Sequence, residues 1–163
     1  YNGIPKAAWY ALCLLRRLGD TLIGRGEGWF LTRQDGDYQL MLYNYKHYSD
    51  LYADCESFDM TPTDRYTPFG GRQRRDFEIC IGNAPEGDWL VSEYSVSRAA
   101  GSSFDKWVEM GAQPLAGAEE AELLKSLSRP MMNKYVLHSG KDGLTVNALL
   151  DMLEIRLILL KKK

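Results

Sequence analysis

The stretch Trp29-Phe30-Leu31-Thr32-Arg33-Gln34-Asp35-Gly36-Asp37-Tyr38-Gln39-Leu40-Met41-Leu42-Tyr43-Asn44-Tyr45 decides the fold class. Trp29 to Arg33 reads as a strand. Asp35-Gly36 makes a tight hairpin turn, because these residue types tolerate the positive φ that both central positions demand. Tyr38 to Tyr45 follows with a period of two: Tyr38, Leu40 and Leu42 on one face, Met41, Tyr43 and Tyr45 on the other. A strand that is apolar or aromatic on both faces needs cover on both, so it belongs in the middle of a sheet.

The same period recurs downstream. Phe77, Ile79 and Ile81 alternate with Glu78 and Cys80, Pro85-Glu86-Gly87-Asp88 forms a turn, and Trp89 to Ser97 is the next strand. Three strands close the chain: Tyr135 to Ser139, Leu144 to Leu149, and Leu153 to Leu160, with Asp142-Gly143 turning between the first two. In the last, Ile155, Leu157 and Leu159 are expected inward, and Glu154 and Arg156 outward. Seven or eight short strands joined by tight turns imply a mainly β fold, an antiparallel β-sandwich. Residues 46–75 hold Pro62, Pro68 and Gly70-Gly71 and no sustained period. They read as a long crossover between sheets, with one short strand near Phe58. Arg72, Arg74 and Arg75 read as a solvated loop edge.

Helical spacing shows in three places. Ile4, Ala8, Ala11, Leu12, Leu15 and Leu18 form an apolar stripe, widened by Trp9, Cys13 and Leu14. Asn2 and Gly3 are expected to cap this helix, Pro5 to sit in its first turn, and Gly19 to stop it. A helix so apolar needs cover on more than one side. Within Gly101 to Gly111, Ser102 or Ser103 caps a short helix with Phe104, Trp107 and Val108 on one face. Gly117 to Leu127 is another, with Glu119 and Glu120 in its first turn and Pro130 beyond its end.

Composition narrows the function. The 163 residues suit one domain, and a net charge of -2 gives no broad attraction to nucleic acid or an anionic membrane. Lys161 to Lys163 read as a solvated terminus. Cys13, Cys55 and Cys80 form neither a CxxC pair nor a zinc spacing, and an odd number points to a reducing, cytoplasmic compartment. No apolar run has the length of a membrane span, and no signal-peptide pattern opens the chain. Because the first residue is Tyr1, the chain is expected to begin inside a longer polypeptide.

His47 and His138 stand alone, with no GxSxG elbow, P-loop or GxGxxG, so no metal and no cofactor are expected. The carboxylates lie mostly in turns or on the acidic helix. Glycoside hydrolysis needs two of them, held roughly 5–9.5 Å apart across the scissile bond. No catalytic residue is therefore assigned. Tyr43, Tyr45, Tyr48 and Tyr52, with His47, are the candidates for contact with a sugar or with a neighbouring domain, since a tyrosine ring offers a flat apolar face and a polar edge. Asp105 and Trp107 are expected to pin the 101–111 loop against the sandwich.

Four stretches carry a resemblance. Pro5-Lys6-Ala7-Ala8-Trp9-Tyr10-Ala11 through Leu18-Gly19-Asp20 resembles the last barrel helix of glycoside hydrolase family 39 (GH39). Tyr38 to Tyr45, with His47-Tyr48 after it, resembles a sandwich strand of that family. Gly101-Ser102-Ser103-Phe104-Asp105-Lys106-Trp107-Val108-Glu109-Met110-Gly111 is the most specific match, and Leu153 to Ile158 resembles the final strand. Residues 53–75 resemble it least.

The resemblance implies a (β/α)8 barrel with a β-sandwich beside it, and a retaining β-xylosidase whose two glutamates lie on barrel strands upstream of Tyr1. On that basis residues 1–23 are the last helix of a truncated barrel, and residues 24–163 a non-catalytic C-terminal sandwich that packs against it. The wording around Tyr43 to Tyr48 also resembles a bacterial subgroup in which the GH39-like region follows an AraC-type transcriptional regulator. The alternative is a stand-alone carbohydrate-binding module using surface aromatics. The implied partners are the barrel of the same chain and a carbohydrate. Without the barrel, the exposed face of the first helix is expected to pair with a second copy.

Overall fold

A computed structural model describes residues 3–49, 60–70 and 73–163. Three helices and eight strands lie among them: α1 (Ala7–Leu15), β1 (Thr21–Gly26), β2 (Trp29–Gln34), β3 (Asp37–Tyr43), β4 (Arg75–Ile81), β5 (Gly87–Val96), α2 (Ser103–Glu109), α3 (Ala118–Leu127), β6 (Met131–Ser139), β7 (Leu144–Leu150) and β8 (Ile155–Lys162). The expected hairpin is present. Asp35 and Gly36 take φ of 52° and 88°, and the register runs from Gln34 against Asp37 to Trp29 against Leu42. β3 lies between β2 and β8 and is buried on both faces.

The strands form two antiparallel sheets, one of six in the order β1-β2-β3-β8-β5-β6 and one of two, β4-β7. The tight turn at Gly140 and Gly143 passes the chain from the first to the second. Between the sheets lies the main core, where Leu40, Leu42, Trp89, Leu144, Leu150, Ile158 and Leu160 are fully buried. Each such side chain contributes about 1.5–3 kcal/mol of transfer free energy. This is the antiparallel β-sandwich the alternation implies. β3 lies in the large sheet and β4 in the small one, and the described residues between them include the single turns Pro62–Asp64 and Thr67–Phe69. Phe58, Gly71, Arg72 and Cys55 fall outside the described residues.

A second core lies on the other face of the large sheet. There α1 packs Leu14, with Ala7, Tyr10 and Leu18, over Met41, Val96 and Leu157. Ala7, Tyr10 and Leu14 are spaced three and four apart, one face of an α-helix, and Leu18 follows beyond its end. The opposite face stays in water, with Trp9 59%, Leu12 58% and Leu15 42% exposed.

The ends of α1 differ from expectation. Asn2 is outside the described residues, Lys6 takes the N-cap position without a side-chain bond, and Pro5 precedes the helix instead of opening it. Gly19 does not stop the helix, which already ends at Leu15. Its role is close approach. Its N–H donates to Thr32 Oγ1 at 2.9 Å, and a Cβ there would meet the Arg33 carbonyl at 2.7 Å.

β1 is an unexpected strand, and it straddles residue 23, where the helix was expected to give way to the sandwich. Its sequence Thr-Leu-Ile-Gly-Arg-Gly has poor strand character, but the second glycine makes room for Trp29: a Cβ on Gly26 would lie 2.4 Å from Trp29 Nε1.

β8 requires a correction. Ile158 and Leu160 face the core between the sheets, whereas Ile155, Leu157 and Leu159 face the α1 side. Both sets are apolar, so alternation could not say which was inner. Glu154 and Arg156 are not outward either. Arg156 Nε donates to Glu154 Oε1 at 3.0 Å, one terminal nitrogen donates to the Leu149 carbonyl at 3.1 Å, and the other lies 3.5 Å from Glu93 Oε1. All three charged side chains are largely buried. The Tyr135 hydroxyl closes the network by donating to Glu93 at 3.0 Å.

Candidate functional site

Among the described residues, Tyr43, Tyr45 and Tyr48 each meet a different ring. Tyr43 ends β3, half-buried, its ring tilted against Phe30 at 6.4 Å. β3 stops there, so strand alternation does not carry Tyr45 onto the same face. Tyr45 is exposed and meets the His47 ring edge-on at 4.8 Å. Tyr48 lies against Phe69 at 4.9 Å with a tilt of 31°. Tyr52 is outside the described residues. His138 sits at the surface on β6, where its Nδ1 and Asp88 Oδ1 are 3.0 Å apart. That hydrogen bond holds the Asp88 carboxyl below its usual range. Among the described residues, no group of His, Cys, Asp and Glu is arranged to hold a metal ion.

A different constellation gathers at Asp105. Ser102 is the N-cap of α2, and its Oγ accepts from the Asp105 N–H at 3.2 Å. The Asp105 carboxylate turns back and accepts from the Ser102 hydroxyl at 2.5 Å. Ser102 thus caps the helix through its oxygen and is itself fixed by the aspartate through its hydroxyl proton. Arg98 Nε then donates to Oδ1 at 3.1 Å, and the Tyr66 hydroxyl to Oδ2 at 2.8 Å. The Arg98 guanidinium lies 3.8 Å over the Tyr66 ring, and the Arg65 guanidinium 4.3 Å over Phe104. Asp105 is thus buried with three side-chain donors around it. Trp107 is half-buried, donates from Nε1 to the Gln113 carbonyl at 2.7 Å, and tilts against Phe104 at 5.8 Å.

Burial pushes the Tyr66 phenol up to about 12, and the hydrogen bond to Asp105 and its negative charge add to the effect, with Arg98 and Arg65 opposing it. The phenol therefore stays protonated and donating across the neutral range. Two hollows flank this cluster. One of about 310 Å³ is lined by Tyr48, Arg65, Tyr66, Phe69, Arg98 and Asp105 among others. The other, about 560 Å³, runs past Arg98 and Asp105 to Arg74 and Asp151, which pair at 2.8 Å. The sequence singled out Asp105 as a residue pinning the 101–111 loop, but not Tyr66, Arg65 or Arg98. Tyr66 is 39 residues from Asp105, and no local pattern links them.

The fold has known counterparts. It is similar to part of the GH39 enzyme from Xanthomonas axonopodis pv. citri, with a TM-score of 0.75 and 14% identity, covering 99% of this chain and 31% of that one. A monomeric β-xylosidase from Caulobacter crescentus CB15 matches with a TM-score of 0.74 and 15% identity, covering 98% and 31%. A bacterial orthologue of human α-L-iduronidase matches with a TM-score of 0.65 and 12% identity, covering 98% and 28%. The chain spans about a third of the length of the first two. At such identities the likeness is one of fold. Comparison of the sequence with family models and with curated proteins gave no match. No helix among the described residues is long and apolar enough to cross a membrane.

Proposed function

We propose that this chain is the non-catalytic sandwich of a GH39-like glycoside hydrolase, with α1 the last helix of a (β/α)8 barrel and the remainder packed against that barrel to stabilise it. The observation that carries this reading is the alignment of 99% of the chain onto 31% of a GH39 enzyme at a TM-score of 0.75. The α1 surface is in keeping with it, because Trp9, Leu12 and Leu15 make an apolar face with no cover among the described residues. The regulator setting has no support from the structural neighbours and is not part of the proposal. Cys13 and Cys80 are free thiols, in keeping with a reducing, cytoplasmic location.

Incubation of the chain with aryl β-xylosides tests the catalytic half of the reading. Release of aryl group should equal that in buffer. Turnover that depends on the protein and disappears on substituting one carboxylate would overturn it. The packing half predicts that α1, lacking its barrel, joins two copies through Trp9, Leu12 and Leu15. Sedimentation should show self-association that is lost in a Trp9→Ser, Leu12→Ser double variant. A monomer at all concentrations sinks the idea of a sticky barrel-facing surface.

A further inference from the structure

The 310 Å³ hollow is small for a ligand site, at the low end of the roughly 300–1,000 Å³ such sites occupy, and suits a single ring. Its charges are unequal. Arg65 and Arg98 line it against one carboxylate, Asp105. Arg65 lies on Phe104 and has no acidic partner among the described residues. Arg98 is held at Nε by Asp105 and from below by the Tyr66 ring, while its two terminal nitrogens meet no acceptor among the described residues. A guanidinium fixed by its inner nitrogen presents its outer pair without further loss of rotamer freedom, the geometry that receives a carboxylate. Tyr48 and Phe69, whose rings meet at 4.9 Å, add aromatic surface to the same lining.

We propose that this hollow binds a small ring compound carrying a carboxylate, with the anion between Arg98 and Arg65 and the ring against Tyr48 and Phe69. That the ring is a sugar acid and not an aromatic acid rests on the glycoside-hydrolase reading above. Asp105 does not touch the ligand in this arrangement. It is a positioning residue that holds Arg98 and Tyr66.

Titration of the isotope-labelled chain, followed through the backbone amides of Ser97, Arg98 and Ser102, tests the site. The probes are D-glucuronate, benzoate, neutral D-glucose and acetate. D-Glucuronate should shift these amides saturably, D-glucose and acetate should not, and Arg65→Gln and Arg98→Gln should each weaken binding by about tenfold or more. Arg65→Gln leaves the Arg98–Asp105 contact intact, so it reports on binding even where Arg98→Gln loosens the fold. Benzoate binding without D-glucuronate binding keeps the carboxylate site and removes the sugar setting, independently of the xyloside assay. Absence of binding by both ring acids overturns the proposal. So does equal binding of acetate, or an affinity unchanged in both arginine variants.

Discussion

The molecule builds the same trio twice, an arginine, a carboxylate and a tyrosine, and gives the two copies opposite surroundings. At the end of the large sheet, Arg156 spends its guanidinium on Glu154, Glu93 and the Leu149 carbonyl, with Tyr135 bonded to Glu93. All the partners sit on strands or in the short turn before β8. Beside α2, Arg98 uses only Nε on Asp105, with Tyr66 on the other carboxylate oxygen. Its partners come from a crossover and a two-turn helix, and two hollows open onto it. A closed network holds strands together. An open one leaves donors for something else. What separates them is how many guanidinium nitrogens already have acceptors.

Breaking the closed network should cost the most. Arg156→Met leaves Glu154 and Glu93 buried without their cation, a loss of about 3–5 kcal/mol for breaking a buried pair from one side. Replacing Arg156, Glu154 and Glu93 together with apolar residues of matched volume should restore much of that stability. Chemical denaturation of the single and triple variants gives both numbers. If Arg156→Met costs no more than a surface substitution, the network is not closed and the contrast fails.

Legibility in the sequence followed the same contrast. The β2–β3 hairpin and the burial of β3 could be read because turn chemistry and two-sided apolarity are local signals. β1 could not, since its glycines serve the ring of Trp29, a tertiary reason invisible in a window of six residues. β8 was recognised as a strand but with its faces exchanged, because Ile155, Leu157 and Leu159 are as apolar as Ile158 and Leu160. Glu154 and Arg156 were misplaced outward by the general rule that charges avoid the core. Asp105 was singled out because it lies in the Gly101 to Gly111 stretch, the most specific part of the resemblance. Arg98 and Tyr66 were not, because the contact that joins them to Asp105 exists only in three dimensions.

Asp105→Asn comes next in size. It keeps the shape but weakens three charge-assisted bonds, from Arg98, Tyr66 and the Ser102 hydroxyl, for a loss of about 2 kcal/mol. Arg98→Gln should cost less, about 1 kcal/mol at most, because its side chain is 40% exposed and solvent screens the pair. An order reversed in thermal melts, with Arg98→Gln the more damaging, would mean that Arg98 is structural in the way Arg156 is. Trp107 belongs to neither core cluster, so Trp107→Ala should cost only about 1–2 kcal/mol, below the 3–5 typical of a core aromatic.

The smallest effect compares the two tyrosines directly. Burial is the main cause that pushes both phenols up to about 12, with Asp105 adding to it at Tyr66 and Glu93 at Tyr135. A phenol whose folded pKa lies above its ordinary value of 10.0 contributes stability that is fully present below pH 10. The contribution declines above that, as the unfolded chain gives up its proton more readily than the folded one. It is gone once the pH has passed through about 12. Phenolate absorbance should therefore show a late step that Tyr66→Phe removes and another that Tyr135→Phe removes. The arginines distinguish the sites. Arg98 opposes the upward shift of Tyr66, so Arg98→Gln should move that titration higher still and leave Tyr135 where it was. Should Tyr66 instead titrate with an ordinary phenol, its hydroxyl is not held by Asp105, and the ring beneath Arg98 is not fixed in the way the open network requires.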